Sequence, residues 1–163
     1  MKRKRTDYIL VGLQLLLFAL FVFNFRLTAF SIPQWFRVPA IVLSGFGVFI
    51  FLLSILQLNK NLSPFPTPGK GSKLVQSGLY KYVRHPIYTG IIFSFFGFAL
   101  YSQSVYRILI SLLLYVLFYI KSKYEERQLL HRYDNYSSYK KRTGRFLPKL
   151  FRSDDQINRS DKS

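Results

Sequence analysis

The sequence predicts an all-α integral membrane protein with about four transmembrane helices, the last two forming a helical hairpin, followed by an interfacial amphipathic helix. Three observations predict it. Half of the 163 residues are hydrophobic, including 17 Phe, yet the formal net charge is +17. The two properties segregate into apolar and basic blocks along the chain, which is the sorting a bilayer imposes. The basic residues also alternate between dense and sparse from one inter-block segment to the next.

Tyr8 to Phe25 is apolar except for Gln14 and Asn24, and Val38 to Leu58 is apolar except for Ser44, Ser54 and Gln57. A span needs about 20 apolar residues, with a lower limit near 17, and both blocks qualify. The region from Ile87 to Ile120 would make one helix of roughly 50 Å at about 1.5 Å per residue, too long for a single crossing. It suits two spans, Ile87–Ser104 and Val105–Ile120, with a tight turn near Gln103.

Charge supports that division. The N-terminal segment carries Lys2, Arg3, Lys4 and Arg5, and the second inter-span segment carries Lys60, Lys70, Lys73, Lys81 and Arg84. Twelve of the 24 Lys and Arg follow Ile120. The intervening segments hold only Arg26 and Arg37, then Arg107. Four spans place the three dense segments on one side, and the positive-inside rule makes that side cytoplasmic, both termini included. Three spans would put the most basic tail outside. The expected location is a multi-pass membrane protein, in the plasma membrane of a bacterium or the endoplasmic reticulum of a eukaryote.

Several classes are excluded by content. There is no cysteine, so disulfides, thiol nucleophiles and thiolate metal sites are absent. The two histidines, His85 and His131, are far apart and belong to no metal motif. The expectation is therefore no metal. The lysines and arginines read as topology determinants and anionic-lipid contacts, not as a nucleic-acid surface. Lys2–Arg5 ahead of an apolar run resembles a signal peptide, but the run is long and no cleavage site follows near Ala29, so the segment is read as a retained span.

Residues 1–58 read as a two-span membrane region, 59–150 as the region that carries chemistry, and 151–163 as a polar, disordered tail. Pro64, Pro66, Pro68, Gly69 and Gly71 forbid a continuous helix between Asn59 and Gly78. From Lys121 the composition turns charged, and Leu129, Tyr133, Tyr136 and Lys140 recur at helical spacing, predicting an amphipathic helix along the membrane surface. Thr143-Gly144 ends it and Pro148 prevents a restart. Gly45-Phe46-Gly47 lacks a third glycine and a preceding strand, so it serves close helix packing and not a dinucleotide.

Two segments exceed what anchoring requires. The first runs from Ser77 to Gly90 and contains Arg84-His85-Pro86-Ile87-Tyr88-Thr89-Gly90. Pro86 suits a first helical turn, whose free backbone donors and positive dipole end then face the basic side. Tyr80, Tyr82 and Tyr88 add π faces. The second is Glu125-Glu126, two of only seven acidic residues in the chain. They can pair with Lys121, Arg127 or Arg84, or accept hydrogen bonds from a ligand's hydroxyl or ammonium groups. A hairpin brings both segments to one mouth, half in lipid and half in water. Such a pocket can join a soluble cofactor to a lipid-like substrate.

The first segment resembles the R-H-P-x-Y-x-G signature of the isoprenylcysteine carboxyl methyltransferases and the related phospholipid methyltransferases. Glu125-Glu126-x-x-Leu129, followed by Tyr133, Tyr136, Tyr139 and Arg145-Phe146-Leu147-Pro148, resembles their C-terminal motif. Order and spacing agree over roughly Leu74 to Pro148. The resemblance implies methyl transfer from S-adenosylmethionine within a membrane-embedded helical fold. It implies a cofactor site lined by Leu74, Val75, Tyr80, His85, Pro86, Tyr88, Gly90, Glu125 and Glu126, with Arg84 and His85 as catalytic residues. Lys121 stands on the substrate side, where the eukaryotic enzymes have arginine. Lysine cannot form the same planar fork. The implied partners are the bilayer and a lipid-like or prenylated acceptor, most like an isoprenylcysteine carboxylate. Alternatives at this level are a phospholipid amine N-methyltransferase, an NADPH-dependent sterol-type reductase, whose motif usually has Asn where this chain has Ile87, and a non-catalytic membrane adaptor.

Overall fold

The computed structural model describes residues 5–23, 33–58 and 74–149. These form α1 (Arg5–Val22), α2 (Gln34–Leu58), a 3-10 turn (Gly78–Lys81), α3 (Pro86–Tyr101), α4 (Val105–Arg132) and α5 (Tyr136–Arg142), with no strand among the described residues. The basic cluster Lys2–Lys4, most of the Pro/Gly-rich loop and the tail 151–163 lie outside them.

Three helices, α1, α2 and α4, are long and apolar enough to cross a membrane. The fourth apolar helix, α3, has 16 residues. At 1.5 Å per residue that is about 24 Å, short of a hydrocarbon core of about 30 Å. Pro86 opens it, as its missing N–H allows. Gln103, in the left-handed region at φ 51°, turns the chain where the hairpin was expected. Ser104 then caps α4 by accepting from the Arg107 backbone N–H at 3.3 Å.

Contacts between distant residues set the direction of each helix. Midway along α1, Gln14 Oε1 accepts from Lys121 Nζ at 2.6 Å. Near its end, Leu20 O accepts from Tyr106 OH at 3.0 Å and Phe21 O from Arg107 Nε at 3.4 Å. So α1 runs antiparallel to α4. The start of α1, the end of α2, the start of α3 and the end of α4 share one end of the bundle, as four alternating segments require.

Helices α2 and α3 approach closely, backbone to backbone. Ser44 Oγ of α2 donates to Ser94 O of α3 at 2.9 Å. A Cβ on Gly90 would lie 2.6 Å from Phe51 N and 2.8 Å from Gly47 O. Small residues are what allow such an approach in a bilayer, where packing and not hydrophobicity holds helices together. Of the Gly45-Phe46-Gly47 pair only Gly47 is used, since nothing lies within 4 Å of a Cβ on Gly45. The motif glycine Gly90 is thereby accounted for by helix packing. Gly90→Ala is expected to lose roughly 1–3 kcal/mol through overpacking, read as a lower unfolding midpoint in detergent, while Gly45→Ala stays near the parent. A Gly90→Ala protein of parental stability but weakened cofactor binding would return this glycine to the ligand site.

The interior is a cluster of Phe21, Ile91, Ala99, Ile110, Leu114 and Phe118, contributed by α1, α3 and α4. Large apolar side chains on the outer faces, such as Leu15, Val42, Phe49 and Leu113, are exposed, as lipid-facing positions should be.

The C-terminal half departs from expectation in one respect. No separate helix begins near Lys121; α4 continues unbroken to Arg132, because no Gly or Pro interrupts it. The chain turns at Tyr133, which is extended at φ −127° and ψ 114°, and only then forms the seven-residue α5. Leu129 and Tyr136, predicted on one helix, therefore sit on two. The predicted end at Thr143-Gly144 stands, with Thr143 as the C-cap of α5.

Candidate active site

The site is assembled by two chain segments that meet beside the end of α4. Gly144 N–H donates to Tyr82 O at 3.1 Å, Arg84 N–H to Gly144 O at 2.9 Å, and His85 N–H to Arg145 O at 3.1 Å. Thr89 Oγ1 adds a bond to Phe146 O at 2.7 Å. Residues 143–146 are thus stitched along residues 82–89. Only glycine serves at position 144, because a Cβ there would fall 1.6 Å from Leu147 O.

Glu126 is the hub of this junction. Its side chain is 1% exposed. Oε1 accepts from Arg84 Nε at 2.9 Å and from Arg145 Nε at 3.2 Å, and Oε2 accepts from Arg145 Nη2 at 3.0 Å. Lys140 Nζ lies 3.2 Å from Oε2. One buried carboxylate therefore faces three cations, from the start of α3, from α5 and from the segment beyond it. Arg84 also donates through Nη1 to Lys140 O at 3.1 Å and to Thr143 O. Its partners are protein groups that fix the C-terminal segment, which is a positioning geometry.

His85 stands between the two carboxylates. Its Nδ1 lies 3.6 Å from Glu125 Oε2, and its Nε2 lies 3.4 Å from Glu126 Oε1. The ring is 6% exposed, and Nε2 has no hydrogen bond among the described residues. Glu125 differs from its neighbour. Its side chain is 26% exposed and Oε2 accepts from Tyr88 OH at 3.1 Å. Successive helical residues diverge by about 100°. Hence Glu126 turns into the arginine cluster and Glu125 toward the aromatic side. There Tyr88 stacks on His85 (centroids 5.4 Å, planes at 7°) and on Phe118 (4.7 Å, 8°). Phe146 meets the His85 ring edge-on at 6.3 Å.

Lys121 is one turn below Glu125 on α4 and is buried. Its ammonium donates to Gln14 and sits 5.5 Å from the Tyr88 ring centroid. The fully buried Asp7 carboxylate acts on it electrostatically. Charge inside a membrane protein is costly and marks function or a specific partner.

Three phenols close the outer side. Tyr139 OH donates to Tyr80 O at 2.7 Å, and Tyr80 OH reaches Ser54 O of α2 at 3.4 Å. Burial pushes Tyr139 up to about 12, with Arg84 opposing and Glu126 adding to the shift. Burial first, then a nearby carboxylate, also raises Tyr80 and Tyr136, so all three stay neutral donors at physiological pH.

The structure therefore brings together Arg84, His85, Tyr88, Lys121, Glu125 and Glu126. Pro86 is buried beneath them at the helix start. Tyr80 is buried but tied to α2, and Gly90 faces the α2 backbone. Leu74 and Val75 are half-buried on the irregular segment leading to the turn. Residues not singled out for the site are Asp7 and Gln14 of α1, Phe118, and the cations Lys140 and Arg145. Gln14 carried a signal, as one of two polar residues in the first apolar block. Arg145 stood in the C-terminal motif, whereas nothing marked Lys140 as a partner of Glu126, since basic residues crowd the whole C-terminal segment.

In a comparison with known families, the model described as phospholipid methyltransferase matches residues 35–136. That span holds α2 from its second residue, α3, α4 and the residues Arg84, His85, Tyr88, Lys121, Glu125 and Glu126. No curated protein matches the chain.

Proposed function

We propose, since the chain belongs to the phospholipid methyltransferase family, that it transfers a methyl group from S-adenosylmethionine to a lipid-like acceptor at the polar mouth of the bundle. Family membership and three spanning helices make it a membrane methyltransferase. The observation that carries the finer reading is the buried His85 ring set between Glu125 and Glu126 at the mouth.

The residues fit such a cofactor. His85 Nε2 is a buried nitrogen with no hydrogen bond among the described residues, and Glu125 keeps a partly exposed carboxylate with acceptor capacity beyond its bond to Tyr88. A carboxylate can accept from ribose hydroxyls or an ammonium group. Tyr88 and His85 offer aromatic surface beside it. Leu74, Val75, Tyr80 and Pro86 complete the proposed lining. When bound, the cofactor supplies a methyl carbon already activated by its sulfonium.

The protein's work is then mainly positioning, which can contribute several kcal/mol. Glu125 orients the cofactor, and Tyr88 orients Glu125. Arg84 and Glu126 hold the C-terminal segment closed over the mouth and so keep His85 in place. Lys121, anchored by Gln14, offers a cation to an anionic group of the acceptor. An acceptor carboxylate, as in isoprenylcysteine, attacks the methyl carbon directly and releases no proton. A phospholipid amine is the second reading, favoured by His85. An amine must shed a proton as its C–N bond forms, and an imidazole between two carboxylates can take it.

The positive-inside rule assigns this mouth to the cytoplasm. A cysteine placed at Gln103, on the opposite end, is then labelled only from the other side.

Equilibrium binding to detergent-purified protein tests the cofactor. S-adenosylmethionine is expected to bind and NADPH not to bind. Retention of NADPH alone would sink the reading. Prenylcysteine analogues and lipid extracts, incubated with methyl-labelled cofactor, then separate the carboxylate from the amine acceptor.

A further inference from the structure

A cavity lies beside the Gly144 junction, lined by residues that flank it on both chain segments. It measures about 410 Å³ and is lined by Lys81, Tyr82, Tyr139, Arg142, Thr143 and Lys149, among others, with no carboxylate among the described residues of its wall. Its three cations come from two segments far apart in sequence: Lys81 from the 3-10 turn, and Arg142 and Lys149 from the end of α5 and the stretch just beyond it. They are gathered by the same pairing of residues 82–85 with 144–145 that builds the first site. Among the described residues neither Lys81 nor Lys149 has an ion-pair partner. Lys81 Nζ lies 5.9 Å from the Tyr82 ring centroid, and the exposed Lys149 donates to Lys141 O at 2.7 Å.

Like charges converging on one concave wall repel one another, and an anion in the cavity relieves that repulsion. Lysine and arginine around a hollow with tyrosine and threonine beside them suit the oxygens of a phosphate group. The cavity also sits at the level where α3 begins, the end of the bundle assigned above to the cytoplasmic interface. Basic pockets at that level meet anionic lipid headgroups.

We infer that this cavity binds a phosphate group, as carried by an anionic phospholipid headgroup, and that binding braces the C-terminal segment. The bracing follows from shared walls. Thr143 lines the cavity and its carbonyl accepts from Arg84. Tyr139 lines it and donates to Tyr80 O. A ligand that orders these two residues also orders Arg84, the partner of Glu126, and the Tyr80 backbone. The inference concerns a site separate from the methyl-transfer mouth and does not depend on which acceptor is methylated.

The test titrates the full chain, purified in an uncharged detergent, with dihexanoyl phosphatidylglycerol, dihexanoyl phosphatidylcholine and inorganic phosphate. Phosphatidylglycerol is expected to bind, and Lys81→Gln combined with Arg142→Gln is expected to weaken it about tenfold or more, the loss of charge-assisted bonds. Lys149→Gln provides a milder second variant should the double variant fail to fold. Lys81→Arg should retain binding. Lys123→Gln, an exposed lysine away from the cavity, should leave affinity unchanged. Inorganic phosphate binding as tightly, with the same pattern across variants, would uphold the site and identify a free anion as its source. Three results would overturn it: equal binding of phosphatidylcholine, no loss in the cavity variants, or an equal loss in Lys123→Gln. Amide hydrogen exchange over residues 143–148 should slow as phosphatidylglycerol saturates, and unchanged exchange there would overturn the bracing.

Discussion

Replacing Glu126 by alanine is expected to lower stability by roughly 3–5 kcal/mol, the usual loss when one member of a buried ion cluster is removed. The reason is what remains behind. Arg84, Arg145 and Lys140 converge on this single carboxylate, which is 1% exposed. Without it, three cations repel one another, two of them in poorly solvated positions. Glu126→Gln keeps the shape and one acceptor oxygen but removes the charge, so it should fall between alanine and the parent. Chemical or thermal unfolding in detergent measures both. The C-terminal segment should also loosen, because Arg84 links Glu126 to Thr143 and Lys140. An unfolding midpoint within error of the parent would show that the cluster is solvated and carries no load. On the sequence alone Glu125 and Glu126 stand together; the burial of Glu126 among three cations makes it the one expected to be costlier to remove.

Glu125→Gln should behave in the opposite way. The amide oxygen can still accept from Tyr88 OH, and the side chain is 26% exposed, so folding should change little. The lost charge falls on the ligand. Losing a charge-assisted hydrogen bond costs about 1.5–3 kcal/mol, or roughly 10- to 150-fold in cofactor affinity. The measurement is equilibrium binding of S-adenosylmethionine to the purified variant, with its unfolding midpoint taken in parallel. Unchanged affinity in a well-folded protein would remove Glu125 from the site. The pair of variants separates two roles that adjacent identical residues hide: Glu126 is expected to act on the fold and Glu125 on the ligand.

Much of the architecture was legible in the order of the residues. Apolar blocks of spanning length and an alternating density of Lys and Arg are one-dimensional properties, because the bilayer reads the chain segment by segment. They located α1, α2 and α4, the turn at Gln103 and the start of α3 at Pro86. Motif spacing likewise selected the segments around His85 and Glu125, since a hairpin must return its two ends to one level. The length of α4 was less legible. Its hydropathy falls at Lys121, but hydrogen bonding along a helix does not depend on hydropathy, and nothing before Arg132 breaks it.

Partnership was decided only by the packed structure. Arg84 meets Glu126 across 42 positions and Thr143 across 59, and Lys121 meets Gln14 across 107. The sequence offered Arg84, Lys121 and Arg127 alike to the glutamate pair; which of them meets which carboxylate depends on where three or four helices come to rest. The same is true of Gly90, which belongs to a motif yet answers to the α2 backbone. It is true of the two glutamates, which composition cannot tell apart. A rotation of about 100° between neighbours on a helix places one carboxylate among buried cations and the other beside the aromatic wall of the site.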